Sequence, residues 1–545
     1  MFQSRKAVPD KHQDMQQFDF IIVGAGSSGC VLAERLSASG RHNVLVLEAG
    51  GTDMRFFVQM PLGYGKTFFD PSVNWMYKAE PDTGLAGNAD NWPRGKVLGG
   101  SSSINAMVWI RGAREDYDEW EALGNTGWGW EAISGAFKAL EDHGDGGGPV
   151  RISRIDHKVH PLTHQYIAAA NAAGLPMNAD FNGVNQEGAG HYRMTIKGGR
   201  RLSSARAFLR PAMKRTNVRV ETNALATRIL FEGSRAVGIE YLQNGITKSV
   251  RAGREVILSG GSINSPQLLQ LSGIGDPALL QSLNIPVLQE NPNVGQHLAD
   301  HQGINYTYKA NVPTLNQELR PWWGKLIAGM KYVFLGTGPL SMSLNQGGGF
   351  FRTSDKFSRP NMQLYFQAFS TVIPKPGERP ILNPDPWPGF SIGLSNCRTS
   401  SRGHIAIRSR SPLDHPRIIA NAFSHPDDVE EMLDAVKFVR KIAAQAPIAQ
   451  HIVEELLPGS KVQSDEDLIA DFRRRSGTVY HPVSTCRMGP DAASNVVGPD
   501  LKVHGVEGLR VCDASIFPTL TTGNTNAPAI AVGWLGAKRI LEEHR

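Results

Sequence analysis

Cysteine is scarce. The four residues Cys30, Cys397, Cys486 and Cys512 are spread through 545 positions without a Cys-x-x-Cys pair, which excludes a sequence-local zinc site and a disulfide framework. Such usage suits a reducing cytoplasm. No run of about 18 apolar residues occurs, so no membrane-spanning helix is expected. The start, residues 1–17, is polar and lacks the apolar stretch of a secretory signal. Docking on a membrane surface is left open. Charge of one sign is also missing: 57 Lys and Arg against 51 Asp and Glu give +6, scattered rather than gathered into a stripe, which argues against nucleic acid as partner. No internal repeat or low-complexity tract is present.

The residues that are plentiful carry more information. The length allows two or more domains at roughly 100 to 200 residues each, and the 58 glycines show no collagen-like period. An apolar run at 18–23 reads as a buried parallel strand. It runs into Gly24-Ala25-Gly26-Ser27-Ser28-Gly29, after which Cys30, Val31, Ala33 and Leu36 keep helical spacing. A second strand at 44–47 follows and ends at Glu48, making a βαβ unit. Here Gly24 permits the tight turn, Gly26 lets the backbone approach a pyrophosphate, and Gly29 allows the helix to pack on the strand. Glu48, with Ala49 beside it, can accept an unphosphorylated ribose, so FAD or NAD is favoured over NADP; the fingerprint does not choose between those two.

Farther along, residues 361–369 alternate, with Met362, Leu364, Phe366 and Ala368 on one face and Gln363, Tyr365 and Gln367 on the other, as in an antiparallel substrate wall. Amphipathic helices are expected at 426–444 and 465–475, and a largely buried helix at 527–542. The glycines 347–349 read as a flexible or closely approached backbone, as part of a lid or as a plain loop. Trp322 and Trp323 could line an entrance or cage a quaternary ammonium, although packing is the plainer role. Cys486 and Cys512 read as small packing residues.

Several longer stretches resemble the glucose-methanol-choline (GMC) oxidoreductase family, whose members bind FAD. They are Gly95-Lys96-Val97-Leu98-Gly99-Gly100-Ser101-Ser102-Ser103-Ile104-Asn105 and Gly261-Ser262-Ile263-Asn264-Ser265-Pro266 through Gly275. Residues 293–301, the block from Tyr480-His481-Pro482 to Gly489, and residues 509–515 also match. The resemblance runs from Phe18 onward and is strongest to bacterial primary alcohol dehydrogenases and choline-dehydrogenase-like proteins.

It implies an α/β fold (α+β overall), with a Rossmann-like FAD-binding domain interleaved with a substrate domain built on an antiparallel sheet packed by helices. The expected division is 16–160, 215–310 and 471–545 for the FAD domain, the last with the catalytic residues, and 161–214 and 311–470 for the substrate domain.

The resemblance also implies a cofactor set. Gly24, Gly26, Ser27, Ser28, Gly29, Glu48 and Ala49 form the fingerprint end. Val97, Gly100, Asn105, Ala106, Met107 and Val108 run beside the flavin. Ala226 would touch the adenine through its backbone, and Asp513 with Ala514 the ribityl and phosphate region, joined by Tyr480. Asn526 is expected as a helix cap or flavin contact. Some relatives tether the flavin through a histidine at the position of Ile104; isoleucine cannot form that bond, so FAD is expected to be noncovalent.

Alcohol oxidation needs a base near neutrality. Of 16 histidines, His481 matches the family's catalytic histidine, and Asn524 occupies the partner position. Met107, Tyr365, Gln367 and Phe369 are candidate substrate contacts; no metal is expected. The activity implied is oxidation of a primary alcohol to the aldehyde, with electrons passed to a quinone or another acceptor. The alternatives are an oxygen-using oxidase of aryl or furanic alcohols and, as a minor branch, a hydroxynitrile lyase on the same fold.

Overall fold

The computed structural model describes residues 16–371 and 383–545. The first core forms around a seven-stranded sheet. Its strands run in the order Val218–Glu221, Val44–Leu47, Gln17–Val23, Ile246–Leu258, Arg235–Gln243 and Ala224–Glu232, and Leu509–Val511 pairs beside Ile246–Leu258. The neighbours of Gln17–Val23 are parallel to it, with Ile22 opposite Val46 on one side and Ile257 on the other. Phe20, Ile21 and Ile22 are fully buried, as expected of a strand covered on both faces. The helix Ser27–Ser37 covers one face and the C-terminal helix Asn526–Glu543 packs alongside it. Gly533 permits that approach, because a Cβ there would lie 2.9 Å from the backbone of Ser28.

A second seven-stranded sheet is antiparallel and runs Ile452–Leu457, Gln302–Ala310, Gly389–Asn396, Met362–Gln367, Gly347–Phe351 and Gly188–His191, with Gly477–Thr478 added beside Gln302–Ala310. The alternation read at 361–369 is realised in Met362–Gln367. Met362, Leu364 and Phe366 enter a core shared with helices Pro161–Ala172, Pro426–Ala443 and Asp465–Arg475. Gln363, Tyr365 and Gln367 turn to the opposite face.

Two sequence expectations are corrected here. Glycines 347–349 form neither lid nor loop: they are fully buried in the strand Gly347–Phe351, and a Cβ on Gly348 would lie 2.1 Å from the Leu364 carbonyl and 2.5 Å from the Tyr192 ring. Gly348 makes room for that ring, while a Cβ on Gly347 would meet Thr163 at 2.8 Å and one on Gly349 the Gly188 carbonyl at 2.6 Å. Trp322 and Trp323 line no entrance and form no cage; they stand on the helix Trp322–Met330 with their rings in solvent. No helix of the described residues is long and apolar enough to cross a membrane.

Candidate active site

Between the two sheets lies a cavity of about 880 Å³. One end is built by the glycine-rich turn. Gly24 has φ +101°, and a Cβ on it would lie 2.5 Å from the Ser259 carbonyl. A Cβ on Gly29 would lie 2.0 Å from the Gly24 carbonyl, so the first helix can sit on its strand only because this residue has none. Gly26 is different: its Cβ would meet only Ser259, at 3.7 Å, and otherwise point into open space. The helix it opens has no side-chain cap, which leaves its first N–H groups for an anion.

Glu48 accepts from the Ala25 N–H at 2.9 Å and the Gly50 N–H at 2.8 Å, one bond per oxygen, leaving lone pairs toward the cavity. Burial pushes its carboxyl up to about 7, opposed by those two bonds. Gly100, at φ +53°, lies against Gly26, since a Cβ would come 2.7 Å from the Gly26 Cα.

An FAD fits these features. The uncapped helix start and the open side of Gly26 suit the pyrophosphate, Glu48 suits a ribose, and the wall continues through Ala49, Ala226, Asn105, Ala106, Met107 and Val108 to Tyr480 and Ala514. Asp513 also lines the cavity, but its carboxylate is occupied: it accepts from the Gly261 N–H at 2.8 Å, Ser265 Oγ at 2.6 Å and the Ser515 N–H at 2.8 Å. Asn526 is the first residue of the C-terminal helix rather than its cap, and its Oδ1 accepts from Ser27 Oγ at 2.7 Å, tying the two helix starts together.

Two residues of the expected cofactor set lie off the cavity wall. Gly29 acts from beneath the turn, and Val97 is buried among Val58, Val73 and Ile104, supporting the wall rather than forming it. Ile104 itself reaches the cavity.

The other end holds His481, which arrives just after the edge strand Gly477–Thr478 of the antiparallel sheet, and Asn524, which lies just before the C-terminal helix of the parallel layer. The two sheets therefore each contribute one member of the pair. Tyr480 has the left-handed φ of +75°, uncommon for a residue with a Cβ. It is held on both sides: Arg94 Nη2 donates to its carbonyl at 2.6 Å, and the His481 N–H donates to Asp300 Oδ1 at 2.8 Å. That backbone turn aims the imidazole.

Hydrogen bonding then assigns the ring protons. His301 Nε2 lies 2.9 Å from the Cys397 carbonyl, which can only accept, so that nitrogen carries hydrogen. Burial lowers the His301 pKa to about 4, so the ring is neutral and its Nδ1 is a lone pair. His481 Nδ1, 2.9 Å away, must donate to it. His481 Nε2 is left bare, facing the cavity and 3.1 Å from Asn524 Nδ2. Burial first, then the His301 and Arg94 neighbours, hold His481 well below the usual histidine range, so it is a neutral acceptor at pH 7.

Asn524 is oriented with equal care. Tyr365 Oη donates to Gln363 Oε1 at 2.7 Å, which directs the Gln363 amide nitrogen to Tyr192 Oη at 3.1 Å and to Asn524 Oδ1 at 3.2 Å. The Asn524 carbonyl is thereby occupied and its N–H₂ is turned to His481. Gln363→Leu should leave the fold and cofactor content unchanged while lowering kcat roughly tenfold to a hundredfold through misorientation of Asn524; steady-state kinetics beside a flavin absorbance ratio measures this.

Met107, Tyr365, Gln367 and Phe369 all line the cavity. Met107 takes a positive φ of +63°, and its N–H bonds to Asn105 Oδ1 at 3.0 Å. The sequence reading missed His301, Asp300, Arg94 and Tyr192, and treated Gln363 only as a wall residue. His301 and Asp300 end the matched block 293–301, a usable signal; Arg94 and Tyr192 have none, since only the fold brings them near.

Comparison with known proteins follows the same lines. A GMC oxidoreductase family model matches residues 18–303 and its C-terminal counterpart residues 399–533. The chain is 40% identical over 538 residues to an alcohol dehydrogenase [acceptor] of Pseudomonas putida, covering 96% of each. It is 40% identical over 540 residues to the mitochondrial choline dehydrogenase of Homo sapiens, covering 95% of this chain and 89% of that one. Among solved structures, an FAD-dependent oxidoreductase from Chaetomium thermophilum superposes with a TM-score of 0.87 at 27% identity, covering 97% of this chain and 100% of that chain.

Proposed function

This chain belongs to the GMC oxidoreductase family, and from that premise we propose that it oxidises a primary alcohol to the aldehyde, with FAD held noncovalently, and passes the electrons to a quinone or another acceptor. The observation that carries this reading is the bare His481 Nε2 beside the Asn524 amide, 3.1 Å apart, at the end of a cavity whose other end fits a dinucleotide. A hydroxyl that replaces the Asn524–His481 bond from the cavity side can donate its proton to His481 Nε2 while its oxygen accepts from Asn524 Nδ2. The flavin, when bound, supplies the acceptor for the hydride leaving the carbon. His481 then holds the proton on Nε2, and the imidazolium keeps its Nδ1–H bond to His301, which orients the ring through the step. The aromatic and thioether groups of Phe68, Phe69, Met107 and Phe369 on the wall favour an alcohol with an apolar chain or ring.

Ile104 supports noncovalent binding, because it reaches the cavity without a nucleophilic atom. Acid precipitation should therefore release essentially all the flavin into the supernatant; yellow colour remaining in the pellet would contradict this. The division into an FAD domain at 16–160, 215–310 and 471–545 and a substrate domain at 161–214 and 311–470 belongs to the same reading. The name of the Pseudomonas putida relative, an alcohol dehydrogenase [acceptor], supports an acceptor other than oxygen, whereas relatives at 38–40% identity are named oxygen-dependent choline dehydrogenases, which makes oxygen the competing acceptor. A panel of aliphatic, aromatic, furanic, polyol and choline substrates, each assayed with oxygen and with an artificial acceptor, tests both parts. Dye-linked turnover of an apolar primary alcohol with little peroxide is expected; absence of anaerobic flavin bleaching by any alcohol would sink the proposal.

A further inference from the structure

The helix Trp322–Met330 and the turn Lys331–Leu335 that continues it are built inside out. An ordinary surface helix turns its large apolar side chains to the core and its polar ones to water. Here the small residues Gly324 and Ala328 face inward, with Tyr332 after them, and Ala328 packs against Leu344 and Phe369. The outward stripe is Trp322, Trp323, Leu326, Ile327, Met330, Val333, Phe334 and Leu335; Trp322 is 76% exposed, Phe334 79% and Leu335 70%. The patch extends sideways, because Phe56 meets the Tyr332 ring edge-on at 6.0 Å and Phe57 beside it is also exposed. A contiguous face of this kind marks an interaction surface rather than scattered exposure.

Charge around the face decides what it meets. Between Glu318 and Asp355 the chain has no acidic residue, while Lys325 and Lys331 interrupt the apolar stripe and are exposed. Among the described residues neither forms an ion pair. Lys197 and Arg200 lie on the neighbouring hairpin, whose Gly199 abuts the Gly336 carbonyl. A second copy of the chain meeting this face by twofold symmetry would set lysine against lysine. An anionic lipid surface instead takes the tryptophans and phenylalanine at the headgroup boundary and lets the lysines reach phosphate.

We propose that this face docks on an anionic bilayer surface, with the helix Trp322–Met330 lying in the interface plane. The geometry also relates the face to the cavity. The segment that carries Phe56 and Phe57 continues to Phe68 and Phe69 on the cavity wall, and Phe69 is itself exposed, so the docked face adjoins the cavity rim. Docking does not depend on the alcohol reading, and the two fail separately.

The test is flotation of the holoenzyme with vesicles of phosphatidylcholine mixed with phosphatidylglycerol, compared with vesicles of phosphatidylcholine alone. The holoenzyme should float with the mixed vesicles at low salt. Phe334→Ser with Leu335→Ser, and separately Lys325→Glu with Lys331→Glu, should each weaken partitioning about tenfold or more, with flavin spectrum and turnover of a soluble alcohol retained. Ile246→Ser, which removes an exposed apolar side chain from a strand of the other sheet, should change nothing. Failure of the holoenzyme to float with either vesicle, or flotation unaffected by the Phe334 and Leu335 changes, would overturn the proposal. So would a dimer in solution that those changes dissolve while no vesicle binding is seen, which would make a second copy the occupant.

Discussion

His481→Ala is expected to lower the rate of anaerobic flavin reduction by an alcohol roughly 10²- to 10⁴-fold while FAD stays bound. The loss follows from the proton assignment. His481 Nε2 is the bare nitrogen because His301, fixed by the Cys397 carbonyl, takes the Nδ1 hydrogen. Alanine removes that acceptor without touching the glycine-rich turn at the other end of the cavity. Stopped-flow reduction measures the effect, and an unchanged rate would end the assignment of His481 as base. The same geometry sets the pH dependence. Protonating Nε2 destroys the acceptor, so kcat/KM should fall as pH falls. Since burial and its neighbours depress the His481 pKa, the acid limb should lie below the ordinary histidine value of about 6.5, leaving activity level through neutrality.

Gly29→Val is expected to abolish the holoenzyme. Even a single carbon at this position would lie 2.0 Å from the Gly24 carbonyl, in the turn between the first strand and its helix, and 3.3 Å from Ser259 Cβ, at the end of the neighbouring strand. Neither the carbonyl, held in the turn that follows the strand, nor the helix can yield without opening the pyrophosphate cradle. Overpacking of this kind costs roughly 1–3 kcal/mol or more, and here the displaced turn is the one that carries Gly26 and the free helix start. The purified variant should show almost no flavin absorbance relative to protein and a lowered Tm. A variant with full flavin content would mean that the helix packs on its strand differently from the seam described here.

Much of this was legible along the chain. The strand, turn and helix from Gln17 to Ser37 declare themselves because every requirement is local: a run of buried β-formers, glycines where a Cβ would collide, and a carboxylate at the end of the next strand. The alternation in Met362–Gln367 was equally plain, since a period of two records which face meets a core. His481 and Asn524 could be named through the blocks around them. The glycines 347–349 and the pair Trp322 and Trp323 misled for the converse reason. Gly348 admits the Tyr192 ring from another part of the chain, and the tryptophans stand in solvent because Gly324 and Ala328 take the buried face of their helix, Gly324 against the Glu318 carbonyl and Ala328 in a cluster with Phe369. Neither fact has a local trace.

By itself, then, the sequence determined the strand, turn and helix of the dinucleotide end, because periodicity and glycine placement are short-range properties, and its longer matched blocks carried the family resemblance and the proposal of His481 and Asn524 as the reacting pair. Only the tertiary structure decided how those side chains act. Which nitrogen of His481 is bare depends on His301, 180 positions away, and on the Cys397 carbonyl. Which way the Asn524 amide points depends on Gln363 and Tyr365 in the opposite sheet. Hydrogen-bond direction is set by partners that chain folding brings together, and no spacing rule encodes it.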